Sequence, residues 1–161
     1  MPIRIVAILV LTVSAIVAGY YWYQARRVVA PAVAMQVTDT ACRDARAACR
    51  AMHPALGDVT LVFPDGAYYL HPFVAELKQA GKHSETIQSV SLELTMSGMD
   101  MGRNVFHLQS GNKEGNSWHG KLLLPVCVTG RVDWQVKLLV TTDRQQYAAR
   151  FPLQVKRYQQ P

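Results

Sequence analysis

The stretch from Val132 to Val155, VDWQVKLLVTTDRQQYAARFPLQV, decides the fold. Val132, Trp134, Val136, Leu138 and Val140 are apolar, and Asp133, Gln135 and Lys137 between them are polar. Further on, Tyr147, Ala149, Phe151, Leu153 and Val155 alternate with Ala148, Arg150 and Gln154. Successive side chains of a strand point to opposite faces, so each run has one buried face and one wet face.

The same period extends upstream. Trp118, Gly120, Leu122 and Leu124 form one inward set, and Phe106 and Leu108 form another, alternating with Val105, His107 and Gln109. Val90, Leu92, Leu94 and Met96 alternate with Ser91, Glu93 and Thr95, and Phe73, Ala75 and Leu77 with Val74, Glu76 and Lys78. Val59–Phe63 is a short run closed by Pro64-Asp65-Gly66. About seven short strands in about 100 residues, each with one apolar face, predict antiparallel sheets packed face to face. The expected class is therefore all-β, an Ig-like antiparallel β-sandwich over residues 57–161.

The amino-terminal end has a different character. Ile5 to Tyr23 is 19 residues without a formal charge, about 28 Å of helix at roughly 1.5 Å per residue, enough for a bilayer core. Tyr20, Tyr21, Trp22 and Tyr23 close the run, followed by Arg26 and Arg27. Interfacial rings and then snorkelling cations suit a membrane boundary. A cleaved signal peptide fits less well, because its apolar region is usually about 7–15 residues and is not followed by bulky aromatics. Residues 1–27 thus read as one N-terminal transmembrane helix. Arg4 on one side and Arg26 and Arg27 on the other leave its orientation undecided by charge. Without these three arginines the chain carries 14 Lys+Arg against 11 Asp+Glu, scattered along the strands. Nucleic-acid binding, which needs a concentrated basic stripe, is not expected.

Residues 28–56 read as a linker containing a short helix or a disulfide loop. In Thr40–Met52, Cys42, Ala45, Cys49 and Met52 share one helical face. On a helix, Cys42 and Cys49 would stand about 10 Å apart, beyond the roughly 7 Å that a disulfide spans. The helix and the Cys42–Cys49 bridge therefore exclude each other. Cys127 is left over if the first two pair, as a buried inert thiol or a soft ligand.

Met96-Ser97-Gly98-Met99-Asp100-Met101-Gly102 holds three of the six methionines. Met96 continues the inward set of its strand. Met99 and Met101, flanked by glycines, are expected to project from a loop, where thioethers pack poorly but can ligate Cu(I). His107, on the strand that follows, is a further candidate ligand.

Met99-Asp100-Met101-Gly102, Trp118-His119-Gly120 and Trp134-Gln135-Val136 together resemble the YtkA-like/FixH-like family of envelope proteins. The resemblance covers about a third of the chain well. It implies an Ig-like periplasmic domain, an amino terminus in the cytoplasm and a single-pass inner-membrane location. It also implies a copper-related role, with Met99, Met101 and Met96 as the soft-metal set and Cys127 beside them. The acceptor it implies is a cytochrome oxidase or another copper-accepting membrane complex.

The expected function is Cu(I) binding and delivery. The alternative is a non-metal interaction module that docks on an inner-membrane complex. An enzyme is not expected, because no nucleophile–base spacing, His-x-x-x-His pair or phosphate-binding glycine loop occurs.

Overall fold

The computed structural model describes residues 11–22, 31–39, 48–96, 98–125 and 132–158. They fall in two compact units, Met1–Pro31 and Ala32–Pro161. In the first, residues 11–22 are helical and expose Leu11, Ile16, Tyr21 and Trp22. Among the described residues no helix is long and apolar enough to cross a membrane. Residues 5–10 and 23 of the expected span lie outside them.

The second unit is all β. Its described strands are β1 (Val33–Ala34), β2 (Gln36–Asp39), β3 (Cys49–His53), β4 (Gly57–Val62), β5 (Tyr68–Tyr69), β6 (Phe73–Ala80), β7 (Ile87–Met96), β8 (Met99–Ser110), β9 (Ser117–Leu122), β10 (Asp133–Thr142), β11 (Gln146–Gln154) and β12 (Lys156–Arg157). Ten of them make one sheet in the order β1-β11-β10-β7-β8-β9-β6-β4-β3-β2, and β5 and β12 pair separately. Within the large sheet the pairs are antiparallel, apart from β1 on β11. Strands β7, β8 and β9 follow one another, and β10 returns to lie beside β7, a Greek key.

Two features link the ten strands into one continuous, curled order. The 12-residue β8 pairs with β7 as far as Leu108, then with β9 through Gln109 and Ser110. At the ends of the order, β1 lies on β11 and β2 on β3. Only Met35 separates β1 from β2, and its N–H donates to the Ala148 carbonyl at 2.8 Å. The first and last strands are thus one continuous segment, and the sheet is nearly barrel-like. Closing a sheet removes edges that would otherwise expose unpaired backbone groups.

The alternation read from the sequence fills the interior. Trp134, Val136, Leu138 and Val140 of β10 face Leu94, Leu92 and Val90 of β7 and Phe151 and Leu153 of β11, all buried. On β9, Gly120 is where that strand closes onto β8: a Cβ there would meet Leu108 Cδ2 at 2.7 Å. Trp134 is the largest fully buried side chain, and its indole N–H donates to the Tyr69 hydroxyl at 3.1 Å.

Buried polar groups are satisfied at the end where the chain joins the sheet. The Thr142 hydroxyl donates to the buried Glu85 carboxylate at 2.7 Å, and the Gln145 amide donates to the Tyr147 hydroxyl at 2.7 Å. Burial pushes the Tyr147 phenol above its ordinary range and the bond to Glu85 adds to this, while Gln145 acts the other way.

Three expectations are corrected. Helix does not extend over residues 49–52: Cys49 and Ala51 are buried and Arg50 and Met52 exposed, the period of β3, between β2 and β4. Cross-strand pairing overrides a weak local helical pattern when the small residues fit either period. The sheet also begins at β1 and β2, in what reads as linker, so the compact unit starts at Ala32 and not at residue 57. Finally, Met99 and Met101 lie in β8 and not in a loop, because β8 begins at Met99, which pairs directly with Met96 at the end of β7. Residues 40–47, with the Cys42 half of the expected helix or bridge, lie outside the described residues.

Trp134→Ala should destabilise the chain by about 3–5 kcal/mol, as for other large buried aromatics, measured by urea denaturation. The loss should include the bond to Tyr69, so Trp134→Phe should recover only part of it.

Candidate functional site

The Met96–Met99 pair closes the β7–β8 hairpin. A two-residue turn that matches the strand twist needs positive φ, and Gly98 adopts +74°. Directly opposed residues hold their Cβ atoms about 4.5–5.5 Å apart, so the two thioethers are cross-strand neighbours. Met96 is a core residue at 4% exposure, opposite Trp134 on its other side. Met99 is half-buried and packs against that core.

Beyond Met99 the ladder is irregular. Leu94 pairs with Asn104 and Met96 with Met99, so residues 100–103 stand against Thr95 alone. This is a wide bulge, with Gly102 at φ +71°. Met101 lies on it. The sequence pattern of glycines around methionines thus marks a hairpin and a bulge, not a loop.

The hairpin shares its end of the sheet with the flanks of the Cys127 segment. Leu124 bridges to Tyr69 and accepts from the Leu70 N–H at 3.0 Å. Val132 accepts from the Val155 N–H at 2.9 Å. Cys127 itself lies outside the described residues. Cys49 is wholly buried and disulfide-bonded. Cys42, the bridge partner expected from the sequence, also lies outside the described residues.

His107 is not brought to the methionines. It pairs with Ser91, five residues along β7 from Met96, about 17 Å at roughly 3.3 Å per residue. It lies on the outer face, in a shallow groove with Ser91, Glu93, Val105 and Leu139. Among the described residues no group of three His, Cys, Asp or Glu side chains could hold a metal ion.

The end with the hairpin also carries residues that alternation does not single out. Leu70 has φ +52° and is 68% exposed, an unusual backbone for a branched side chain. Next to it the His71 and Tyr158 rings stack, centroids 3.7 Å apart and planes within 6°. Tyr68 meets Tyr158 edge-on at 5.4 Å. The signal in the sequence is the unalternating run Ala67-Tyr68-Tyr69-Leu70-His71, too apolar for a simple turn.

No family model matches the chain, and no curated protein matches it in sequence. Among solved structures it is similar to an engineered protein, with a TM-score of 0.42 and 13% identity over 63% of this chain. The match spans 21% of that protein's length.

The two methionines of the hairpin differ in packing, and substitutions should separate them. Met96→Ala should cost about 2–5 kcal/mol, as a buried truncation does. Met99→Leu, which conserves volume, should cost less than about 1.5 kcal/mol. Denaturation midpoints of the two variants check this.

Proposed function

We propose that the chain is a membrane-anchored envelope protein that binds Cu(I) at the Met96–Met99 hairpin and delivers it to a membrane complex. The observation that carries this reading is the closing pair itself: two thioethers opposed across a tight turn, with Met101 on the bulge beside them. Thioether sulfur is a soft, neutral ligand suited to Cu(I). Neutral ligands also favour release to an acceptor. Met99 and Met101 are the proposed ligands, with Met96 contributing from the core side. His107 drops out on distance. Cys127 joins them only if Cys49 is bridged to Cys42, which is the pairing we propose.

The remaining elements of the reading follow the resemblance to the YtkA-like/FixH-like family. They are an Ig-like sandwich as the parent of the curled sheet, a single-pass inner-membrane anchor with a cytoplasmic amino terminus, and a periplasmic domain. A terminal cytochrome oxidase is the proposed acceptor. The bridged Cys49 supports an oxidising compartment, where disulfides persist. The protein binds and transfers; it does no bond chemistry of its own.

The interaction-module reading draws on Leu123 and Val132, apolar residues 52% and 44% exposed at the end that carries the hairpin. Copper titration separates the two. With the full chain in detergent, under reductant and a competing Cu(I) chelator, Met99→Leu/Met101→Leu should bind at least tenfold more weakly. His107→Gln should bind as the parent does. If the double variant and the parent have equal affinity, the copper reading fails and the interaction module takes its place.

A further inference from the structure

We infer that the groove between the Tyr69–His71 turn and β12 is a binding site for a small apolar carboxylate. The groove has a volume of about 390 Å³ and is lined by Tyr69, Leu70, His71, Arg157 and Tyr158. That is within the range of small-ligand sites, at its lower end. Two other grooves lie on the outer face of the sheet, and both are lined by Glu93. In the one that also holds Lys137 and Arg150, Glu93 already meets Lys137 at 3.2 Å. The groove at β12 differs: it holds a guanidinium and no acidic side chain among its lining residues.

Each wall has a distinct task. The stacked His71 and Tyr158 rings, with Tyr68 edge-on behind them, form a flat and rigid side against which an apolar or aromatic body can lie. Leu70 is presented to solvent by a backbone conformation that costs energy for any residue but glycine, and its N–H is held by the Leu124 carbonyl. Strain of this kind collects at ligand sites, where the surrounding structure maintains it. Arg157, exposed on β12, offers the paired N–H groups that fit a carboxylate. An apolar body with one carboxylate satisfies all three features. The carboxylate can belong to a free acid or to the carboxyl terminus of a polypeptide; the chemistry recognised is the same.

The test uses the full chain in phosphatidylcholine nanodiscs, with affinities measured by ligand-observed NMR titration. The probes are 3-phenylpropanoate, its neutral amide, and a tripeptide ending in a free phenylalanine carboxylate. The acid should bind saturably, and at least tenfold more tightly than the amide. Arg157→Gln should lose at least tenfold for the acid and leave the amide unchanged. Leu70→Gly should weaken the acid severalfold while the protein melts no lower than the parent, because the substitution relieves the backbone. Lys137→Gln, at another groove, should change nothing. A tripeptide that binds more tightly than the free acid marks a chain terminus as the source, and the reverse marks a small acid. Equal binding of acid and amide, or an Arg157→Gln variant that binds the acid like the parent, overturns the site.

Discussion

One backbone hydrogen bond, from the Met35 N–H to the Ala148 carbonyl, lies where the two ends of the sheet become a single segment. Val33 and Ala34 run along β11, and Gln36 to Asp39 run along β3. A chain that reaches both edges within seven residues forces the sheet to curl, because the edges cannot then lie further apart than that segment spans. The curl is what gives the inward residues of β10 and β7 an opposite wall on which to pack. Trp134, Phe63 and Phe73 are fully enclosed in that shape. The closure also uses up backbone groups that an open ten-stranded sheet would leave exposed at its edges.

The same geometry separates the two ends of the unit. The chain joins the sheet where Val33 pairs with Tyr147, and Tyr147 lies opposite Val140. The methionine hairpin lies where Met96 pairs with Trp134, six residues along β10, about 20 Å away. One end therefore carries the attachment and a hydrogen-bonded polar cluster of Glu85, Thr142 and Tyr147. The other carries the thioethers, the flanks of the Cys127 segment and the aromatic groove at β12. The hairpin and the strand β1 by which the chain enters the sheet thus lie at opposite ends of the β unit.

Much of the β architecture was legible because a buried face leaves a period of two, and long strands such as β7, β10 and β11 repeat it four or five times. What was not legible is local. Val33, Met35 and Val37 do alternate, but three residues are too few to distinguish a strand from a tether. Cys49 and Ala51 are small enough to suit a helix or a strand, and only the neighbours β2 and β4 decide between them. The glycines around Met99 and Met101 read as loose loop in composition, yet a positive-φ glycine such as Gly98 is what a tight hairpin between paired residues needs. The register of β8 against β7 then removes His107 from the methionines, a separation that spacing along the chain does not reveal. Pairing between distant strands was likewise hidden, so the all-β class was legible but the order in which the strands join was not.

Closure by the Val33–Asp39 segment is the claim on which the rest depends, and native-state hydrogen exchange of the full chain at the Met35 amide tests it most directly. If the segment closes the sheet, this amide opens only with the core, and its protection equals that of the central amides of β10 and β11. If it exchanges as fast as an exposed tether amide while β10 stays protected, the segment does not hold the sheet shut and the account fails.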